Sequence, residues 1–390
     1  MDVHLTEAQQ QVQEAVKAFC ARHVDPFVAQ WDKDEHFPLD VFRKMGEEGY
    51  LGIPIPEAYG GAGESFEVYI AALEQLSRHD AGFACAYAVH LSAHALSILE
   101  FGTEAQKQQY LPGLANGSVL GAFALTEPHC GSDAAALRCK AEKDGDHYVL
   151  TGTKQWITNA KSAGLFLLFA RTDAASSGPK GITAFLIESG TPGLVIDRKT
   201  HKMGMRSSET YDVVLDGCRV HESQVLGVVG EGFKIAMKTL DGGRIGIAAQ
   251  ALGIAQACLD EARTFANQRE AFGQPIARFQ AIQWKVADMA KNIWASRALT
   301  YQAASLKAAG KPVADAGAKA KLFASRTARE AANEALQIHG GYGYTDEFPV
   351  ERHYRDAKVT EIYEGTSEIQ RIVISRGLVG SGKTKVPVRA

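Results

Sequence analysis

The chain has 390 residues, 46% of them hydrophobic and 22% charged, and this balance excludes a disordered or collagen-like protein. At roughly 150 residues per domain, the length predicts two or three domains. The 42 basic and 45 acidic residues give a net charge of −3, which excludes the strongly basic footprint of a nucleic-acid-binding protein.

The first third of the chain is predicted to be helical. Thr6 with Gln9, and Thr103 with Gln106, have the spacing of capping boxes, and apolar residues then recur at helical intervals. The stretch from Ala81 to Phe101 is apolar enough to resemble a membrane span, but it carries two histidines and two serines. We therefore predict that it is a buried helix of a soluble protein.

The hydrophobic period changes from 3.6 to 2 near Gly121. Five short β-type runs follow, separated by Gly, Pro, Ser and Asp: HYVLTGTKQWITNA, LFLLFARTD, GITAFLIES, GLVIDRK and TYDVVLDGCRV. Because no helical stretch lies between them, an antiparallel barrel or sandwich is favoured over a parallel sheet.

Helical periodicity returns at about Gly230 and continues almost to the end of the chain. An apolar stripe runs from Ala251 to Phe265, and further helices are predicted over 280–309, 316–339 and 367–377. Four long helices with short connections are typical of a bundle.

The whole pattern predicts an α+β multidomain fold. Its expected parts are an N-terminal all-α domain (1–120), a middle antiparallel β-barrel or sandwich domain (121–229), a C-terminal four-helix bundle (230–378) and a tail (379–390).

The six cysteines form no CxxC pair and are irregularly spaced, which favours reduced thiols over disulfides or a zinc site. The first ten residues lack a basic stretch followed by an apolar one, so we expect no signal peptide. A cytoplasmic protein of bacterial type is the simplest expectation, with the mitochondrial matrix as the alternative if the chain is a processed form.

Two motifs point to chemistry that their context does not support. Residues 377–384 match the P-loop pattern, but only six residues follow Thr384 and one is Pro387, so no helix can form there to bind phosphate. His90 and His94 have the spacing of zinc-binding histidines, yet position 91 is Leu where the catalytic Glu would stand. We therefore predict no metal site.

Three segments together indicate a function. They are FALTEPHCGSDA (123–134), QREAFGQPIARFQ (268–280), and the region from QIHGGYGYT (337–345) to IYEGTSEIQR (362–371). In this order along an α–β–α chain, they closely resemble the acyl-CoA dehydrogenases from about Leu5 to Gly377. The stretch LDGGRIGIAAQALGIAQA is most similar to the short-chain, butyryl-CoA type.

The resemblance implies an FAD-dependent α,β-dehydrogenation of a straight or branched short-chain acyl-CoA to the trans-2-enoyl-CoA. It implies electron-transferring flavoprotein as the acceptor and a homotetramer built as a dimer of dimers. The family base in the Y-E-G-T motif corresponds to Glu364, and Gly365 lets the backbone approach the substrate. Some relatives place the base on the helix that here carries Gly242 and Gly243, neither of which can act as a base.

The remaining roles also follow from the resemblance. Substrate contacts are expected at Ser132, Asp241, Arg244 and Gly365. FAD contacts are expected at Phe123, Leu125, Thr126, Gly131, Ser132, Trp156, Ile157, Thr158, Arg269, Phe272, Gln280, Gln337, His339, Gly340, Gly341, Thr366 and Glu368.

Other functions remain open. A relative that uses O₂, such as an acyl-CoA oxidase, has the same fold, although typical oxidases carry a longer C-terminal region. Flavin monooxygenases need no α-proton base, so Glu364 argues against them, and the intact base and flavin residues argue against an inactive scaffold. Cys130, within the TEPxxGSD loop, has no assigned role.

Overall fold

The computed structural model describes residues 5–173, 175–176 and 178–379. Helices extend to Ala115, strands lie between Gly121 and Leu226, and helices resume at Gly232. The predicted α+β multidomain fold, with a β domain between two helical domains, is therefore confirmed. Most of the P-loop-like motif and of the predicted tail lies outside the described residues.

The N-terminal helices begin where the capping pattern predicted. Thr6 and Thr103 each form a capping box, with Gln9 and Gln106 respectively. The helices are α1 (Glu7–His23), α2 (Val28–Asp34), α3 (Leu39–Glu47), α4 (Phe66–His79), α5 (Ala81–Ala88), α6 (Leu96–Phe101) and α7 (Glu104–Ala115).

A π-helical segment, Val89–Ala95, joins α5 to α6, so that Ala81–Phe101 is one continuous helix. By length and hydropathy this helix would suit a membrane span, but 83% of its most apolar window is buried within the structure. His90 bonds the Leu114 carbonyl and the Gly121 N–H, as expected of a core histidine, whereas neither ring nitrogen of His94 has a partner in the described structure.

The middle domain is a mixed, mainly antiparallel sheet. Its strands are β1 (Gly121–Ala124), β2 (Lys140–Asp144), β3 (His147–Thr158), β4 (Leu165–Arg171), β5 (Ile182–Glu188), β6 (Leu194–Lys199), β7 (Thr210–His221) and β8 (Val225–Leu226). The order is β6-β7-β3-β2-β4-β5-β8, and β1 pairs with β4 in parallel. The five predicted runs correspond to β3–β7, whereas β1, β2 and β8 are too short to show a period.

Strand β4 is apolar from Leu165 to Ala170, and both of its faces are buried there. Leu165, Leu167 and Phe169 belong to the core shared with the helices, while Phe166 and Leu168 belong to the core inside the sheet. The sheet thus provides one wall of the helical core.

The C-terminal domain is built on long helices with small residues at their contacts. The elements are α8 (Gly232–Gln268), β9 (Glu270–Ala271), β10 (Gln274–Pro275), α9 (Gln280–Ala308), α10 (Ala314–His339), α11 (Val350–Val359) and α12 (Ser367–Val379). A Cβ at Gly317 of α10 would lie 3.2 Å from the Asp241 carbonyl oxygen of α8. The two helices therefore pack nearly backbone to backbone.

The loop between β6 and β7 (200–209) connects all three domains. Its Ser207 hydroxyl donates to Asp80 Oδ1 at 2.7 Å, and its Met205 N–H donates to Asp356 Oδ1 at 2.5 Å. Asp80 precedes α5 and Asp356 lies on α11, so the clamped loop ties the N-terminal and C-terminal helices to the sheet.

All six cysteines are free and buried.

Candidate active site

Glu364 lies in a tight turn between α11 and α12. Both Glu364 (φ +51°) and Gly365 (φ +94°) have left-handed backbone conformations. For a glutamate this conformation is strained, and such strain persists only where surrounding contacts fix it. Lys321 Nζ donates to the Gly365 carbonyl at 2.6 Å, and Gln370 Nε2 donates to the same oxygen at 2.7 Å.

The Glu364 carboxyl points at α8. A Cβ at Gly243 would lie 2.0 Å from Glu364 Oε2, so only glycine leaves room for the carboxyl there. Oε2 is buried and has no hydrogen-bond partner among the described residues. Burial raises the pKa of Glu364 to about 7, although the charges of Lys321 and Arg244 act to lower it. A carboxyl with this pKa is suited to accept a proton near neutral pH.

The face of α8 beside this carboxyl, the glycine face, carries Gly243 and Gly246. Gly243, Gly246 and Gln250 follow at i, i+3 and i+7, so they lie along the same side of the helix. A Cβ at Gly246 would lie 3.6 Å from the Tyr69 hydroxyl, which is buried without a partner in the described structure. Gln250 lies at the far end of this face, where its amide donates to the Ala81 carbonyl at 2.7 Å and accepts from the Tyr363 hydroxyl.

The predicted substrate residues Asp241 and Arg244 lie one turn apart on α8. Arg244 Nη1 contacts Asp241 Oδ1 at 2.5 Å, and Arg244 is 6% exposed, with no partner for its Nε among the described residues. Desolvation raises the pKa of Asp241. Ser132, predicted to contact both substrate and FAD, is exposed on the loop after β1.

Of the predicted flavin residues in the β domain, Trp156, Gly131 and Ser132 are exposed and define the Trp156 surface, whereas Leu125 and Ile157 are buried. Trp156 sits where the β3–β7 register shifts, has φ +59° and is 58% exposed. A β-bulge redirects a side chain, and here it turns the indole outward. The adjacent Gln155 N–H donates to the Thr126 carbonyl at 2.9 Å, which joins this strand to the loop 123–132.

A buried ion pair supports this loop from behind. Lys154 is fully buried and donates to Glu127 Oε1 at 2.6 Å and to the Leu125 carbonyl at 3.1 Å. Glu127 also accepts from the backbone N–H groups of residues 138 and 139. Ligand atoms of Glu127, His129 and Cys130 lie within 4.8 Å of one another, but the carboxylate is already occupied by these donors.

A second group of predicted FAD residues lines a separate cavity of about 530 Å³. Arg269, His339, Gly340 and Gly341 surround it, together with neighbouring side chains. His339 Nε2 is buried without a partner, and within the described ranges no carboxylate lies within ion-pair distance of Arg269. This cavity fits the diphosphate of a dinucleotide. The Arg269 guanidinium and the free ring nitrogen of His339 can bond phosphate oxygens, and the two glycines leave open space beside them. None of the residues that line this cavity comes from the Trp156 surface.

The remaining predicted FAD residues belong to neither group. Phe272, in the β9–β10 turn, is 94% exposed, and Gln280 and Gln337 are exposed at the ends of α9 and α10. Thr366 Oγ1 accepts from the Ile369 N–H at the start of α12, and Glu368 is exposed in its first turn.

Sequence reasoning missed three residues that the structure places at the site: Lys321, Tyr69 and Gln250. The glutamine was detectable, since it follows two glycines at helical spacing within an apolar stripe. Nothing in the local pattern distinguishes Lys321 or Tyr69 from other residues of their helices.

Comparison with known families covers nearly the whole chain. The N-terminal, middle and C-terminal domains described for acyl-CoA dehydrogenases match residues 6–118, 122–218 and 230–379. The chain is 47% identical to an acyl-CoA dehydrogenase of Bacillus subtilis (97% of this chain, 100% of that protein). It is also 47% identical to the short-chain specific acyl-CoA dehydrogenase of Clostridium acetobutylicum (96% and 99%).

Solved structures show the same likeness. The butyryl-CoA dehydrogenase of Megasphaera elsdenii superposes with a TM-score of 0.95 at 44% identity, covering 97% of this chain and 100% of that one. A chain from a study of the electron transferring flavoprotein of Acidaminococcus fermentans gives 0.96 at 47% identity (97% and 100%). A glutaryl-CoA dehydrogenase of Mycobacterium smegmatis in complex with FADH2 gives 0.91 at 32% identity (96% and 95%).

Proposed function

Because the chain belongs to the acyl-CoA dehydrogenase family, we propose that it converts a short-chain acyl-CoA to the trans-2-enoyl-CoA with Glu364 as the base. The family consists of FAD-dependent oxidoreductases that act on the CH–CH group of acyl-CoA thioesters. The observation that carries the proposal is the partner-free Glu364 carboxyl, held against the glycine face of α8.

The Glu364 carboxylate takes the proton from the α-carbon. Bound FAD would supply the acceptor for the hydride that leaves the β-carbon. The backbone N–H of Glu364 donates to no group within the described ranges, so it is available to the thioester carbonyl. A donor at this oxygen stabilises the negative charge that develops as the proton leaves.

The position of Gln250 favours a substrate with a short acyl chain. It lies about 10 Å along α8 from Gly243, at 1.5 Å per residue, and is fully buried. An acyl chain that follows the glycine face meets an amide already bonded on both sides. A longer chain must break these hydrogen bonds, whereas a short one leaves them intact.

We propose further that two copies of the chain complete each FAD site. The Trp156 surface suits the isoalloxazine, while the cavity around Arg269 suits the diphosphate, and no residue is common to both. The exposed Phe272 and Trp284 side chains favour the predicted homotetramer.

Electron-transferring flavoprotein is the proposed acceptor, and the similarity to the chain from the Acidaminococcus fermentans study supports it. The chain's relatives include bacterial and mitochondrial proteins, so its compartment stays a prediction.

The test is anaerobic mixing of the purified holoenzyme with acyl-CoAs of increasing length, followed through the visible flavin absorbance. We expect bleaching by butyryl-CoA, little by octanoyl-CoA, and a shift toward longer chains in Gln250→Ala. A protein that is isolated without flavin, or that no thioester reduces, contradicts the proposal. Rapid reoxidation by O₂ after bleaching would indicate an oxidase instead.

The role of Glu364 is tested by Glu364→Gln, which keeps the shape of the side chain and removes the base. We expect retained FAD and a loss of dehydrogenation of at least about 100-fold. Glu361→Gln is the matched control, because that carboxylate is already paired with Arg329 at 3.0 Å and Lys358 at 2.7 Å, whereas the Glu364 carboxyl has no partner among the described residues.

A further inference from the structure

Lys321 is an unusual lysine for the middle of a helix. It is 1% exposed, and no carboxylate of the described residues lies within ion-pair distance of its ammonium. Buried lysines are normally paired, since removing an unpaired charge from water is costly. Its hydrogen bond, 2.6 Å long, goes to the carbonyl oxygen of Gly365, the residue that follows Glu364.

This hydrogen bond holds a strained piece of backbone. Glu364 and Gly365 both have positive φ, and the Gly365 carbonyl accepts from both Lys321 and Gln370. The direction of this carbonyl fixes the turn that aims the Glu364 carboxyl at Gly243. A charged donor makes a stronger hydrogen bond than a neutral one, which favours lysine over an uncharged residue here.

The charge of Lys321 acts on the same carboxyl. Burial raises the pKa of Glu364, and Lys321 is the largest of the influences that lower it. Burial lowers the pKa of Lys321 to about 8, so the ammonium is still largely charged at neutral pH. The titratable and charged groups around the two side chains lie on several elements: Tyr69 on α4, Cys85 on α5, Arg244 on α8, Glu361 and Tyr363 between α11 and α12, and Glu368 in the first turn of α12.

We propose that Lys321 is a positioning residue for the proton transfer: its ammonium fixes the Glu364–Gly365 turn, and its charge favours the ionised carboxylate that accepts the proton. No hydrogen bond or ion pair among the described residues joins Lys321 to the Glu364 carboxyl, so it acts through the backbone and the charge around Glu364. The inference rests on the proposed function of Glu364.

The experiment compares Lys321→Gln with Lys321→Met in the holoenzyme and records kcat and KM for butyryl-CoA across pH. Glutamine keeps a donor for the Gly365 carbonyl but removes the charge, while methionine removes both. We expect the acidic limb of the kcat/KM profile to move up by about one pH unit in both variants, the lower end of the effect of an opposite charge. We expect a fall in kcat at the pH optimum, with little change in KM, only in the methionine variant.

Lys319→Gln is the control on the same helix, because Lys319 is 48% exposed and pairs with Asp315 on the surface. FAD content and melting temperature identify a variant that has merely lost its fold. If Lys321→Gln folds, binds FAD and keeps the wild-type acidic limb, the electrostatic role is refuted. If Lys321→Met keeps the wild-type kcat, the positioning role is refuted. Activity in Glu364→Gln would overturn the proposed function itself, whatever the Lys321 variants do.

Discussion

Substitution of Gly243 by alanine tests the geometry of the site most directly, because the added methyl group would contact the Glu364 carboxyl. A Cβ at this position lies 2.0 Å from Glu364 Oε2 and 2.9 Å from Cδ, whereas ordinary contacts begin at 3.4 Å. In Gly243→Ala the oxygen must therefore retreat by about 1.4 Å. A displacement of about 1 Å can cost about 100-fold in rate, which corresponds to about 2.7 kcal/mol of transition-state stabilisation.

The neighbouring Gly242 provides the matched control. A Cβ at Gly242 would meet only the flexible end of Lys307, at 3.1 Å. Both alanines remove a helical glycine, which favours the helix by about 1 kcal/mol, so neither variant is expected to unfold.

The assay is the rate of flavin bleaching by excess butyryl-CoA in a single anaerobic turnover. We expect Gly242→Ala to react like the wild type and Gly243→Ala to react about 100-fold more slowly with FAD retained. If the two variants react at similar rates, the carboxyl does not occupy the position that the structure assigns to it.

Three further predictions concern buried titratable groups. With the pKa of Glu364 raised to about 7, kcat/KM should fall about tenfold per pH unit below that value, because the protonated carboxyl cannot accept a proton; a flat profile down to pH 5 would contradict this. Lys154→Met leaves the Glu127 carboxylate buried without its cation and should lower the free energy of unfolding by about 3–5 kcal/mol and reduce FAD retention, measured by urea denaturation and flavin absorbance; an unchanged midpoint would count against the pair. Burial lowers the pKa of His94 to about 3, so the unfolded chain binds a proton below pH 6.5 that the native protein does not, and stability is lost as the pH falls. Between pH 7 and pH 5, protonation of His94 in the unfolded chain lowers the free energy of unfolding by about 2 kcal/mol. His94→Gln lacks this proton uptake and should therefore lose about 2 kcal/mol less over that range, as measured by denaturation at both pH values.

Periodicity predicted the order of the helical and strand regions along the chain, although not every strand. The capping boxes at Thr6 and Thr103 and the β runs from His147 to Val220 depend on local rules that the folded protein obeys. The short strand β1 was missed because it has only four residues and is defined by its pairing with β4. A local sequence pattern does not show which distant strand a segment pairs with.

The candidate site was only partly predictable, since its geometry depends on contacts between distant parts of the chain. Glu364 was predicted from its motif, but its approach to Gly243 depends on how α8 packs against the turn before α12. Lys319 and Lys321 are two residues apart in one helix, yet the first is on the surface and the second is buried. The orientation of Trp156 likewise depends on a shift of the β3–β7 register, which the residue types in these strands do not predict.

The clamped loop between β6 and β7 couples the folding and unfolding of the three domains. Met205 and Ser207 each bond a carboxylate from a different helical domain, and both bonds are buried. Opening any one domain therefore exposes polar groups whose partners belong to the others, which penalises partial opening. Three segments that look in sequence like separable modules should denature in one cooperative transition, and a fragment that ends before β7 should not be stable alone.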